Sequence, residues 1–510
     1  MRGPHNIWRL IVTGATLERT GAMNLVLDAM EAPRAVRFIA KALGKPFQFL
    51  GYKGDTNMPP ATRALTALGP AYIKFGQILS TRPDLVGADL AAQMRVLQDK
   101  LPPFSIEEAK AEVARELGAP VDSLFASFSE PVAAASIAQV HKATLAGTGE
   151  EVAVKVLRPN IERDFGKDVD AFYLAASIIE IFAPFARRLR PMEVIEHFDG
   201  VVQGELDLRL ESASAAEFAA NTANDTGFTL PEMKWTYSGR RVMTLGWADG
   251  VPMGDNAAID AAGHNRAELG TRVLQLFLNH ALRDGYFHAD MHQGNLKVAP
   301  NGDIIAYDFG IMGHIDEYTR RVYAEILYGF IRKDYKRVAE VHFEAGYVPA
   351  GQDVDEFARA LRAVGEPIFG MDASQISMGR LLSYLFEVTE RFGMPTRTEL
   401  ILLQRTMVVV EGVARSLNPQ INIWEVASPI VSDYIEKSIG PRAVLRDLSK
   451  TAQVLARFGP RLPGMVEAAL LRQSNPEPTP RRPFWRWMAL SATVGAIVML
   501  GLLGLMDLLD

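Results

Sequence analysis

Apolar positions recur at helical spacing through residues 1–60, and the pattern stops at a Gly- and Pro-containing break from Gly51 to Pro60. Residues 61–118 continue as helical runs with short interruptions. Leu101-Pro102-Pro103-Phe104-Ser105 ends one helix and offers Ser105 as N-cap of the next, with Glu108 completing a capping box. Residues 124–158 change character. Two β-type runs, Ile137 to Ala143 and Glu151 to Leu157, flank Gly147-Thr148-Gly149-Glu150 and predict a hairpin. Helical spacing returns over residues 162–222, and a strand-like piece follows at Arg241 to Leu245. A helix from about Arg266 to Arg283 leads into Asp284-Gly285 and then a short hairpin around Asn301-Gly302. Residues 315–470 read as largely helical, and no internal repeat is visible. The pattern predicts an α+β chain: a small lobe with strands and a long helix, then a mostly helical lobe.

The C-terminus breaks this pattern. From Phe484 to Met506 there are 23 residues whose only charge is Arg486. As a helix they would reach ~34 Å at ~1.5 Å per residue, against a bilayer core of ~30 Å. Trp485 and Trp487 stand where an interfacial belt would lie, and a polar, Pro-rich linker, Gln473 to Pro483, precedes them. The segment is expected to be a single transmembrane helix rather than a buried core helix. Arg481, Arg482 and Arg486 on its N-terminal side place the large soluble part in the cytoplasm, at the inner membrane if the source is bacterial. The N-terminus has no secretory signal; it reads as an amphipathic helix, with a weaker mitochondrial-type reading because the first acid is Glu18.

Composition narrows the chemistry. The chain has 510 residues, 48% hydrophobic and 22% charged, enough for a sizeable core. A net charge of −6 gives no global basicity that would point to nucleic acid. With no cysteine, disulfides, thiolate catalysis and Cys-ligated zinc are excluded.

The chemistry concentrates in His288-Ala289-Asp290-Met291-His292-Gln293-Gly294-Asn295, followed by Ile304-Ile305-Ala306-Tyr307 and Asp308-Phe309-Gly310. Phosphoryl transfer needs an acceptor-orienting carboxylate and metal ligands around the triphosphate. Asn295 lies five residues after Asp290, the spacing of a kinase catalytic loop, and Asp308 is the Asp of an Asp-Phe-Gly. These predict ATP with Mg2+, Asp290 at the acceptor, and Asn295 and Asp308 as metal ligands. A rival metal site from His288, Asp290 and His292 would leave Asn295 and Asp308 unused. Upstream, Val152-Ala153-Val154-Lys155 matches the strand whose Lys contacts the α/β-phosphates. The segment before it, Val132-Ala133-Ala134-Ala135-Ser136-Ile137-Ala138-Gln139-Val140, stands where protein kinases carry a glycine-rich loop, and it contains no glycine. Alanine restricts positive φ, so this cradle should be stiffer and hold phosphates differently.

Together these motifs resemble the UbiB family, atypical kinase-like proteins tied to ubiquinone biosynthesis. The resemblance runs from about residue 60 to 330. It includes Lys74-Phe75-Gly76-Gln77 as the family's K-x-G-Q, Leu97-Gln98-Asp99-Lys100-Leu101-Pro102-Pro103, and Glu205-Leu206-Asp207 with Glu211. The resemblance implies a protein-kinase-like bilobal fold and a Lys155–Glu211 pair. It also implies that Lys74, Gly76 and Gln77, with Glu205 and Asp207, form a regulatory element in which Lys74 reaches the Glu205/Asp207 pair over the acceptor pocket. By sequence alone, Glu205, Asp207 and Glu211 read equally well as a solvated helix face. The chain departs from protein kinases in lacking Ala-Pro-Glu after Asp-Phe-Gly, and it has one candidate span where some bacterial relatives carry two.

The expected organisation is a helical extension over 1–118 and a kinase-like small lobe with a helical insertion over 119–250. A helical large lobe follows over 251–470, then a linker over 471–483 and the span over 484–506. The expected function is an ATPase of the UbiB type that supports ubiquinone biosynthesis by handling polyprenyl-phenol or quinone-type lipids, or partner enzymes of that route. The alternative is a non-catalytic pseudokinase scaffold binding nucleotide or lipid.

Overall fold

A computed structural model describes residues 5–80, 86–94, 97, 102–349, 351–369, 384–385, 387–389, 391–394 and 398–439. The chain divides into two units, Met1–Glu436 and Lys437–Asp510, and only residues 437–439 of the second are described. The expected membrane span, its linker and residues 440–470 lie outside the described residues. Among the described residues, no helix is long and apolar enough to cross a membrane.

The N-terminal pattern resolves into α1 (His5–Thr20), α2 (Ala22–Ala29) and α3 (Arg34–Gly44), a 3-10 turn Lys45–Leu50, then α4 (Pro60–Leu68), α5 (Pro70–Ser80) and α6 (Ala88–Met94). Gly76 sits where α5 packs most tightly: a Cβ there would meet Leu65 and Leu97 side chains at 2.5 Å. Helix α7 (Ile106–Leu117) starts on the expected capping box. Ser105 Oγ accepts the Glu108 N–H at 3.2 Å, and the Glu108 carboxylate accepts the Ser105 N–H at 3.1 Å.

A one-turn helix α8 (Val121–Leu124) leads to β1 (Phe125–Ala134), β2 (Ala138–Leu145) and β3 (Glu151–Leu157), which lie side by side in that order in one sheet. The expected hairpin is β2–β3. Strand β1 was not expected: its register against β2 shifts at several points and it contains Pro131, so alternation is lost from the sequence. Helices α9 (Ile161–Phe182), α10 (Pro191–Glu205) and α11 (Leu208–Thr222) divide the 162–222 run. Strand β4 (Phe228–Thr229) joins a second sheet, β5 (Val242–Gly246) closes the first, and β6 (Val251–Pro252) begins the larger helical part.

There α12 (Asn256–Ala261) and α13 (Arg266–Asn279) precede β7 (Tyr286–His288), β8 (Leu296–Val298), β9 (Ile304–Ala306) and β10 (Met312–His314). The β8–β9 hairpin turns through Gly302 at φ +88°, as its Asn-Gly predicts. Strands β4-β9-β8-β6 form one small sheet and β10-β7 another. Then come α14 (Glu317–Arg332), α15 (Tyr335–Glu344), α16 (Val354–Phe369), α17 (Thr398–Leu417) and α18 (Ile423–Ile439). One extended apolar cluster runs from Leu157 and Phe198 through Phe277, Phe287 and Phe309 to Val410, so the two motif loops hang from buried strands.

Candidate active site

The site is built on one strand, one helix and two loops. Lys155 points from β3, and its Nζ donates to both carboxylate oxygens of Glu211 at 2.7 and 2.8 Å. Glu211 lies in the first turn of α11, and the Phe309 backbone also donates to it. Asp308 is next to this pair, with Oδ1 accepting the Gly310 N–H at 3.0 Å. Burial works against charge on Lys155, but Asp308, Glu211 and Glu205 outweigh it and hold its pKa above the ordinary lysine value. Lys155 holds the Asp308 carboxyl below its usual range. Burial pushes Glu211 up despite its Lys155 partner, and the neighbouring Asp308 carboxylate adds to the rise. The surplus is negative charge directed at one small volume.

The Asp290 loop is held in place from within. Asn295 Nδ2 donates to the Asp290 carbonyl at 3.0 Å and to Asp290 Oδ2 at 3.3 Å. Both amide hydrogens are thereby used, and Asn295 Oδ1 makes no hydrogen bond within the described protein. An amide oxygen left free beside a carboxylate suits a hard divalent cation, which prefers oxygen ligands. His288 is fully buried; its Nδ1 accepts the Asp290 N–H at 3.1 Å, and burial pushes its pKa down, keeping the ring neutral. His292 Nδ1 accepts the Gly294 N–H at 2.9 Å, and its Nε2 lies 3.5 Å from Asp290. Each histidine therefore orders the loop backbone through Nδ1. The rival metal site of His288, Asp290 and His292 is not formed: among the described residues, no group of three or more His, Asp or Glu is placed to hold a metal.

The residues expected to form a regulatory element are placed unevenly. Lys74 Nζ, from α5, pairs with Glu205 at 2.7 Å, and Glu205 lies close enough to raise the Lys155 pKa. Asp207 does not join them. It is the N-cap of α11, accepts the Arg209 N–H at 3.1 Å and pairs with the Arg209 guanidinium at 2.5 Å. Glu205 ends α10 and Glu211 sits in α11, so the shared helix face open to sequence reasoning does not exist. Gln77 Nε2 donates to the Leu97 carbonyl at 3.4 Å, and Gly76 permits helix packing.

The alanine run is a strand–turn–strand. Val132, Ala133 and Ala134 belong to β1, Ala135-Ser136-Ile137 form the turn, and Ala138, Gln139 and Val140 belong to β2. The Ala135 N–H donates to the Ala138 carbonyl at 2.8 Å, and no residue of the run takes a positive φ. Val140 pairs with Lys155 and shares its face. Gln139 faces the other way, bonded to the Phe104 backbone at 3.1 and 3.3 Å and to His141 at 2.9 Å. Arg158, which sequence reasoning missed, closes the turn: its guanidinium donates to the Ala135 carbonyl at 2.9 and 3.2 Å. The only signal was an arginine just past the end of β3.

The ABC1 atypical kinase-like domain matches residues 96–342, and the UbiB helical domain matches residues 361–422. A relative from Marinobacter nauticus, named "Probable protein kinase UbiB", is 40% identical over 421 residues, covering 82% of this chain and 77% of its own. The chain belongs to the UbiB family. A relative of the same name from Xanthomonas oryzae pv. oryzae is 41% identical over 421 residues, covering 80% of this chain and 76% of its own. Among solved structures, the complex of Rv3197 with erythromycin from Mycobacterium tuberculosis aligns over 78% of this chain and 97% of its own, at 23% identity and a TM-score of 0.49.

In this UbiB-family chain, α17 reaches back to the Asp290 loop. Thr406 Oγ1 lies 3.0 Å from the Ala289 carbonyl and 2.8 Å from the Leu402 carbonyl of its own helix, so the two share its one hydrogen, and Gln293 Nε2 donates to Ser416 Oγ at 2.5 Å. Helix α13 approaches α17 closely at Gly270, where a Cβ would meet the Ala414 carbonyl at 2.9 Å. Tyr307 OH bonds the Gly294 carbonyl and ties the two motif loops together. None of these braces has a sequence signal of its own.

Proposed function

We propose that this chain is an ATP-dependent kinase-like ATPase of the UbiB type, held at a membrane by its C-terminal apolar segment, that supports ubiquinone biosynthesis. It would do so by handling polyprenyl-phenol or quinone-type lipids, or the enzymes that process them. The observation that carries the reading is the assembled set: Lys155 on Glu211, Asp308 beside them, and Asn295 bonded to Asp290. Lys155 would position the α/β-phosphates, and Glu211 fixes where its ammonium stands. Asp290 would orient the acceptor hydroxyl or water and take up its proton. Asn295 Oδ1 and Asp308 would hold a divalent metal such as Mg2+, which supplies neutralisation of phosphate charge.

Water is the proposed acceptor. Lys74 and Glu205 form an ion pair close to Lys155, which supports a site closed to a peptide chain. The same pair favours a second reading, a scaffold that binds nucleotide without turning it over. Mg2+-dependent phosphate release by the purified chain separates them. The ATPase reading requires release by the wild type and its loss in Asp290→Asn; no release by the wild type leaves the scaffold. Quinone-intermediate profiles of cells lacking the protein, rescued by wild type but not by Asp308→Asn, would tie the site to the pathway.

A further inference from the structure

Helix α3 stands apart from every other long helix in the N-terminal region because none of its described side chains is buried. Its apolar positions are nevertheless ordered. Ala35, Phe38, Ile39 and Ala42 recur at i, i+3, i+4 and i+7, form one stripe and are all exposed. Phe38 is 75% exposed. The 3-10 turn that continues α3 presents Phe47 and Phe49, the latter 70% exposed.

This exposure is not the fraying of a loose end. Gly51, at the end of the 3-10 turn, lies so close to α1 that a Cβ would meet the Ala15 backbone at 2.4 Å. Arg19 donates to the Gly51 carbonyl at 2.7 Å, and the Tyr52 N–H donates to Thr16 Oγ1 at 3.0 Å. Helix α1 is itself fixed to the body by the Thr13–Tyr72 hydrogen bond at 2.6 Å and the Arg9–Asp168 ion pair. The backbone is anchored while its large apolar side chains stay in water, which costs free energy unless another phase covers them.

Charge indicates which phase. Residues 31–53 carry five basic residues (Arg34, Arg37, Lys41, Lys45, Lys53) against one acid, Glu31, a local balance of +4 in a chain of net −6. Arg37 is paired with Asp28, but Arg34, Lys41 and Lys45 have no ion pair within the described protein. Arg34 and Lys41 lie along one flank of the apolar stripe, and Lys45 continues that flank. An apolar stripe edged by free cations is the arrangement of a helix lying in the interface of an anionic bilayer, apolar side among the acyl chains and cations at the headgroups.

We propose that α3 and the 3-10 turn behind it form a docking surface for a bilayer containing anionic phospholipid. This surface lies outside both segments matched by the family domains, and it does not rest on the proposed ATPase activity or on the C-terminal span. It would set the orientation of the kinase-like body on the membrane.

The test uses the full chain. It has no cysteine, so Phe38→Cys, Phe49→Cys and, as a control on the exposed side of the small lobe, Asp122→Cys each give one labelling site. Each is labelled with an environment-sensitive fluorophore and mixed with phosphatidylcholine vesicles with or without phosphatidylglycerol, containing nitroxide lipid. The expected result is a blue shift and bilayer quenching at positions 38 and 49, severalfold greater than at 122, in the anionic vesicles only. In an R34E/K41E/K45E background both signals are lost while thermal unfolding without vesicles is unchanged. Equal access to aqueous iodide with and without anionic vesicles would overturn the proposal. So would quenching that ignores vesicle charge, or protection that needs no lipid and rises with protein concentration, which would assign the face to a second copy of the chain.

Discussion

Lys155 and Glu211, 56 residues apart in sequence, meet as a two-point ion pair, with the ammonium 2.7 and 2.8 Å from the two carboxylate oxygens. Burial opposes the charge of Lys155, but Asp308 and Glu205 raise its pKa alongside Glu211, and the two-point bond from Glu211 fixes where the ammonium stands. Glu211→Gln should therefore lower the kcat of phosphate release by about a hundredfold, the loss a misplacement of ~1 Å produces. A variant retaining wild-type kcat would remove the pair from the mechanism.

Asp308 is proposed to bind metal rather than phosphate directly. At ATP of about a hundred times Kd with Mg2+, the wild type should gain about 2.7 kcal/mol of stability. Asp308→Asn should lose that gain. Thermal melts with ATP, with and without Mg2+, provide the measurement, and an unchanged gain in the variant refutes the ligand role.

The turn at Ala135 is closed by its own backbone and by Arg158. Ala135→Gly opens positive φ and closer approach to phosphate. It is expected to change ATP and ADP affinity, with ADP the more tightened, and to support quinone production less well. Titration calorimetry decides: affinities both within about twofold, ~0.4 kcal/mol, mean that the turn is not the phosphate cradle.

Thr406 is fully buried and holds the Ala289 carbonyl from α17. Thr406→Val keeps the shape and removes the hydroxyl that the Ala289 carbonyl shares with the Leu402 carbonyl. A stability loss of about 1 kcal/mol in urea unfolding is expected. The kcat should fall roughly tenfold with KM for ATP held, because the loop, not the nucleotide, is displaced. Unchanged kcat would limit the brace to stability.

Asp225 links His280 at 3.0 Å to Arg283 at 2.6 Å. Burial opposes its charge, but hydrogen bonds from His280 and Arg283 outweigh burial and hold its pKa below the ordinary value. A carboxyl depressed on folding contributes stability above its unfolded pKa of about 3.9 and loses that contribution as pH falls toward the folded value. Asp225→Asn should thus be less stable than wild type at pH 7, and the gap should close on acidification below about pH 4. A gap independent of pH would assign the effect to packing.

The legible parts were those whose meaning is local. Ser105 and Glu108 announce a helix start because both partners lie within one turn of it. Asn301-Gly302 announces a hairpin because its φ requirement is met within the turn itself. Asp290, Asn295 and Asp308 could be placed because one loop and one hairpin fix their spacing. Strand β1 was missed because its bulges and Pro131 erase the alternation by which strands are read.

The sequence by itself determined the family, the order of the chemical groups along the chain and the elements with a local signature. Tertiary structure alone decided which acid meets which base. Lys74 takes Glu205 and not Asp207, because α11 starts at Leu208 and makes Asp207 its cap. Thr406 and Ser416 brace a loop more than a hundred residues away because the core packs α17 beneath it. Phe38 and Phe49 are large and apolar, and only the fold decides that they stay exposed. The physical reason is common to all three: backbone preferences act over a few residues, whereas ion pairs, braces and burial depend on which surfaces the packed core brings together.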